Sequence, residues 1–252
     1  MRLRRITEHV RTHNWTAVFI DFVIVVAGVF VGVQVDSWWD GRSNARKERA
    51  YLLELKEDFA QVITELEGDS KEYAMIAVAM TTLLQQSRGE APTLSVAELN
   101  WNAGRLIYMV GTPIVADTYT NLTGSGELAL IRSQALKNAL ASFYARSEVI
   151  QLVSNTHELQ LVSIFQPYIM ENLDYIAIFE QKRKVPSVAA AGATLPAAFE
   201  EDRILGVLAS PEFRNVVTIK WDISTDLLDV LSGALERARA VDALLDEELA
   251  RP

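Results

Sequence analysis

His157 and Asp21 carry the sharpest chemical signals in this sequence. His157 sits on the apolar seam of a long predicted helix, between Ser154 and Leu161 in the rhythm. A histidine there works as a general acid or base only if a carboxylate or hydroxyl shares its pocket. No partner can be placed beside it from the sequence, so a packed, hydrogen-bonded core histidine leads and a hydrolase with a helical pocket comes third. Asp21 is different: it is the one charge between Thr16 and Val35. A carboxylate inside an apolar span is costly and marks proton relays and ion pathways. It lies only five residues in from Thr16, where it can equally reach the interface, pair with an arginine or pack against a second helix.

Other clusters fall short of a site. His9 and His13 share a helical face, but no third metal ligand accompanies them. Glu54 and Asp58 are spaced as bundle carboxylate ligands are, yet the Glu-x-x-His pairs of di-metal bundles are absent. Gly124-Ser125-Gly126 lacks the Lys-Ser/Thr of a phosphate loop and the strand-borne G-x-S-x-G of a nucleophile elbow, so it reads as a helix-breaking turn. The sequence therefore offers no catalytic cluster, no cofactor motif and no metal site. There are no cysteines, which excludes disulfides and thiolate chemistry.

The element that places everything else is the run from Trp15 to Trp39. Thr16–Val35 is 20 residues long with only Asp21 and Gln34 as strongly polar members. As a helix it is roughly 30 Å long, the hydrocarbon thickness of a bilayer. Trp15 at one end and Trp38 and Trp39 at the other sit where indoles anchor at membrane interfaces. No small-residue cleavage site follows, so the run reads as a permanent single anchor and not as a signal peptide. Gly28 and Gly32 have the spacing that lets two spans approach closely.

Of the net charge of −9, residues 1–14 carry +3, 15–35 carry −1 and 36–50 carry +1, leaving −12 on residues 51–252. That acidity argues against a nucleic-acid partner. Four basic residues precede the span and four follow it. The tight cluster Arg2, Arg4, Arg5 and Arg11 tips the orientation towards a cytoplasmic start and an extracytoplasmic body.

Beyond the anchor, Leu52, Leu55, Phe59, Val62, Leu66, Asp69, Tyr73, Ile76, Met80 and Leu83 alternate spacings of three and four. This is a heptad seam broken only at Asp69. Ser95 with Glu98 forms a capping box for a helix expected to stop at Gly111, and Thr112-Pro113 opens another running to about Thr123. Ser133 begins what reads as the longest soluble helix, with a seam through Leu136, Leu140, Phe143, Ser147, Ile150, Ser154 and His157, kinked but not ended by Pro167. The segment KRKVPSVAAAGATLP reads as a loop, and Ser210-Pro211 starts a last helix with Phe213, Val217, Trp221, Leu228 and Leu231 on one face. The expected fold is all-α: one N-terminal transmembrane helix running into a long stalk, plus an antiparallel helical bundle. The divisions are a basic start (1–14), span (15–39), stalk (40–86), bundle (87–180), loop and short helix (181–210) and a C-terminal helix (211–252).

Asp21, Gly28, Gln34-Val35-Asp36-Ser37-Trp38 and Tyr51, Leu52 and Leu55, with a second patch at Tyr119, Leu122, Ser125-Gly126-Glu127-Leu128 and Leu130-Ile131, resemble a bacterial family of uncharacterised single-span membrane proteins. The first patch covers about residues 16–59. The doubled Trp38-Trp39 departs from the single tryptophan expected, and nothing after about Tyr144 matches. The resemblance implies a bacterial inner (plasma) membrane location and no activity. The leading expectation is thus a membrane-anchored, non-enzymatic helical interaction module. Its partners are the bilayer and either a second copy of itself or another membrane protein. A subunit of an ion-driven, stator-like complex using Asp21 is the second reading.

Overall fold

The computed structural model describes residues 15–90, 93–111, 114–179 and 196–251, and among these every regular element is a helix. Helix α1, Trp15–Arg88, is a single run of 74 residues, about 110 Å long by helical rise. No proline interrupts it, so nothing forces the span and the stalk apart. One stretch near its start, from Phe22 on, is long and apolar enough to cross a membrane. Gly89, with φ of 71°, ends the helix in the left-handed conformation that costs glycine nothing.

The body is built on the second half of α1. Helix α2 is Val96–Gly104, α3 is Asp117–Ser125, α4 is Gln134–Gln160, α5 is Gln166–Asn172, α6 is Tyr175–Ile178, α7 is Arg203–Val207 and α8 is Pro211–Ala250. The starts follow the capping residues. Ser95 and Glu98 form a reciprocal capping box at α2, and Ser133 and Ser210 accept from Leu136 and Phe213 at α4 and α8. Of the α1 seam, Leu52, Leu55, Phe59, Val62, Leu66, Tyr73, Ile76, Met80 and Leu83 are all buried.

Three long helices frame the core. Helix α8 runs antiparallel to α1: Lys56 pairs with Asp242 and Asp246, and Arg239 with Glu67. Helices α1 and α4 run parallel, joined by the crossover through α2 and α3. Phe59 meets Phe143 and Tyr73 meets His157, so the offset between them is the same 84 residues at both points. The tight backbone packing is α8 against each of the other two. Between α1 and α4 large rings span the gap.

Several expected boundaries shift. Helix α2 stops at Gly104, not Gly111, and a short 3-10 turn, Arg105–Ile107, leads into an extended segment. The chain packs closely at that point: a Cβ on Gly104 would lie 2.8 Å from the carbonyl oxygen of Ile178. Helix α3 begins at Asp117, and Thr112-Pro113 lies outside the described residues. Pro167 does more than kink. A single π turn, Leu161–Phe165, precedes it, and α5 breaks at Leu173 before Asp174 caps α6. The π turn redistributes the backbone bonds that a proline N–H cannot supply. Helix α4 therefore has 27 residues, and α8 with 40 is the longest in the body. Most of the predicted loop KRKVPSVAAAGATLP lies outside the described residues.

Candidate functional site: a buried lysine–histidine–tyrosine network

The chemistry of the body centres on an extended stretch, Tyr108–Gly111, threaded between the three long helices. An extended segment inside a helical core has no ladder to satisfy its carbonyls, so side chains must do it. Lys220 on α8 donates to the Tyr108 carbonyl at 2.8 Å, and the Tyr73 hydroxyl on α1 donates to the Val110 carbonyl at 2.5 Å. The stretch is held from outside by Arg105, which pairs with Glu72 at 3.3 Å and lies over the rings of Trp101 and Tyr108.

His157 joins the two donors. Its Nε2 lies 2.6 Å from Lys220 Nζ and its Nδ1 lies 3.4 Å from the Tyr73 hydroxyl. The donors order themselves in one direction. Lysine has no acceptor when charged, so it donates to Nε2. The remaining ring proton then sits on Nδ1 and points at the tyrosine oxygen, whose own proton goes to Val110. The Lys220 ammonium also faces the Phe165 ring, 5.0 Å from its centroid.

Burial sets the charges. His157 and Lys220 have no solvent exposure and Tyr73 has 1%. Desolvation, reinforced by the neighbouring Lys220, pushes the His157 pKa down to about 3, so the ring is neutral at pH 7. Desolvation also lowers Lys220 to about 7 and raises Tyr73 to about 12. His157 thus has the hydroxyl neighbour that a hydrolase would require. The ring is fully buried, and every polar atom of the trio already serves another. The arrangement suits holding a backbone segment better than meeting a substrate.

The second junction lies at the end of the body nearer the apolar start of α1. The turn Gly126-Glu127 after α3 docks on α1 through Glu127, which bonds the Tyr51 hydroxyl and pairs with Lys47 at 2.9 Å. The Tyr51 bond, followed by that to Lys47, holds the Glu127 carboxyl below its usual range. One step on, the buried Glu48 accepts from the Arg132 backbone N–H at 2.7 Å and pairs with its guanidinium at 3.1 Å. Gly126 with φ of 77° makes the turn, so the Gly-Ser-Gly stretch is a helix terminus. Lys47, Glu48 and Tyr51 of α1 and the turn from Glu127 to Arg132 are thus one contact in space.

The span residues are placed differently. Gly28 and Gly32 are bare: a Cβ on either would meet nothing within 4 Å. Trp38 and Trp39 are exposed, with rings edge to face and the Arg42 guanidinium over Trp38. The side chains of Trp15 and Asp21 lie outside the described residues, as do His9 and His13.

Lys220 is the residue that sequence reasoning missed. The buried face of α8 runs Phe213, Val217, Lys220, Ser224, Leu227, Leu231, Ala234, Ala238, Val241 and Leu245, an unbroken alternation of four and three. Placing Trp221 on the apolar face shifted that face by one position and hid it; Trp221 is exposed. No family model, no curated protein and no solved structure matches this chain.

Proposed function

We propose that this chain is a single-span membrane protein whose helical body is a non-enzymatic interaction module held at the membrane surface. The observation that carries this reading is the contrast along α1. From Phe19 to Val33 its apolar side chains are exposed on every side, among them Phe22, Ile24, Val25, Val29, Phe30 and Val31. Further along, the same helix buries one narrow seam. A partner helix would cover one stripe, whereas lipid covers the whole circumference. The exposed pair Trp38 and Trp39 then marks the interface, and the body starts a few residues beyond it.

The bare Gly28–Gly32 face supports self-association in the bilayer, since nothing among the described residues packs on it. The basic start supports a cytoplasmic N-terminus with the body on the far side, and the resemblance to bacterial single-span proteins supports an inner-membrane location. The satisfied, solvent-free trio of Lys220, His157 and Tyr73 supports a structural role for the residue that would otherwise suggest hydrolysis.

The test is crosslinking of the full-length chain in native membranes, before and after Gly28→Leu. A ladder of homo-oligomers, or one dominant heteromeric band, that weakens in the variant is the expected result. Monomer alone in both, or release of the intact chain into the detergent-free supernatant, overturns the proposal.

A further inference from the structure

Helix α4 carries two seams. Leu136, Leu140, Phe143, Ile150 and His157 face the core. Two residues on from that rhythm, about 200° round the helix, runs a second seam of Ser142, Ala145, Val149, Leu152, Thr156 and Leu159. Its spacings alternate three and four without a slip. All six residues are exposed, Val149 at 45%, Leu152 at 65% and Leu159 at 67%. None of them is charged. The other long helices turn charge outwards instead, α1 with Glu54, Glu57, Glu67 and Lys71 and α8 with Asp222, Asp226, Asp229 and Glu236. A heptad rhythm on a solvent face does nothing for a single chain; it is the pattern by which one helix packs along another.

The residue types say which helix that is. Val149 and Thr156 take one heptad position and Leu152 and Leu159 the other. A β-branched residue at the first with leucine at the second favours two parallel strands. Ser142 and Ala145 are small enough to let two backbones close up at the start of the stripe. Charge points the same way. Residues 51–252 carry −12, so two copies repel over most of their surfaces and meet with least repulsion where charge is absent. At the stripe's edges Arg146 and Glu148 balance each other. The direction fits as well, because α4 runs parallel to α1. Two copies anchored in one bilayer point the same way, so their stripes meet as parallel helices in register.

We propose that this stripe is a homodimer interface, α4 of one copy packing against α4 of a second about a two-fold axis along the helices. The proposal rests on the anchored reading above. A stripe about 26 Å long is too short to hold free chains together, and a shared bilayer supplies the effective concentration. It lies on a different element from the Gly28–Gly32 face, so the two contacts are tested separately.

The experiment is single-cysteine crosslinking of the full-length chain in native membranes. The chain has no cysteine of its own, and a disulfide forms only where two Cα atoms come within about 7 Å. On oxidation, Leu152→Cys and Leu159→Cys should each give a disulfide-linked homodimer several-fold above that of Gln151→Cys, which is exposed but off the stripe. If one of the two stripe variants does not fold, the other carries the test. Adding Leu152→Glu to Leu159→Cys should remove most of the dimer and leave the melting of the body unchanged, since the side chain at 152 is exposed within one chain. Equal yields at 151, 152 and 159, no homodimer at all, or a dimer that survives Leu152→Glu would overturn the interface, while a chain still held in the membrane leaves the anchored reading standing. Intact chain in the detergent-free supernatant would overturn both.

Discussion

Lys220 Nζ lies 2.6 Å from His157 Nε2, and neither side chain reaches solvent. Two nitrogen bases at this distance cannot both be protonated without severe repulsion, so the pair holds at most one proton beyond the neutral state. Burial sets the scale of the effect, and the Tyr108 and Val110 carbonyls supply the reason for the pair. Without Lys220 and Tyr73 those two partly buried oxygens would lose their hydrogen-bond donors.

The lysine makes stability depend on pH in a predictable direction. Its folded pKa is lowered to about 7, well below its ordinary 10.5. Between those values the unfolded chain binds the extra proton, so stability rises as pH rises from about 7 towards 10. Lys220→Met should remove that rise. The unfolding free energy of the wild-type chain from urea titration in detergent should climb across this window, by on the order of a few kcal/mol, whereas that of the variant should stay nearly flat. A parallel climb in both would mean that Lys220 is hydrated.

His157 governs the acid side. With a folded pKa near 3 against an ordinary 6.5, the unfolded state again binds more protons, now between pH 3 and 6.5. Stability contributed by neutral His157 is complete above pH 6.5 and is lost progressively on acidification. His157→Gln keeps a polar group in place but cannot titrate. Its neutral-pH stability should fall, and its loss of stability between pH 6.5 and 4 should be shallower than that of the wild type. The ring protons followed by NMR should also show no titration down to pH 4 in the wild type.

The long helices were legible in the sequence because they repeat. Nine apolar α1 seam positions in a rhythm interrupted only at Asp69, the Ser95–Glu98 box, Ser133 and Ser210 each depend on residues close in the chain, and each appears where expected. The network was not legible for two reasons. Lys220 occupies a perfect seam position, but a charge there reads as an interruption. The partners also come from three helices: Tyr73 and His157 are 84 residues apart and His157 and Lys220 are 63 apart. Likewise the need for glycine at the end of α2 comes from Ile178, far along the chain. The exposed Trp221 shows the limit of pattern reading, because an amphipathic face widens by one position as easily as it narrows.

The junction between Glu48 and the start of α4 is a second place where one substitution should be felt. Glu48 is buried and satisfies the Arg132 backbone N–H as well as pairing its guanidinium. Glu48→Ala leaves that N–H without an acceptor at the start of α4. The expected cost is about 1–3 kcal/mol, measured as a lower melting temperature. Hydrogen exchange should quicken at residues 127–133 first. Glu48→Gln retains an acceptor oxygen and should recover part of the loss; full stability in Glu48→Ala would mean that the turn is held by Glu127 alone.

Two kinds of glycine make the sharpest contrast in the molecule. At Gly104 a Cβ would press within 2.8 Å of the Ile178 carbonyl oxygen, a backbone atom that cannot turn aside. At Gly28 and Gly32 it would meet nothing. Gly104→Ala should therefore push α2 away from α6 and destabilise the body by about 1–3 kcal/mol, although alanine is the better helix former by about 1 kcal/mol. The double variant Gly28→Ala, Gly32→Ala should leave the melting of the body unchanged. Any effect it has must come from outside the single chain, so a change confined to crosslinked oligomer yield would locate a helix–helix contact in the span. A body that melts normally with Gly104→Ala would show that α2 and α6 sit further apart than described.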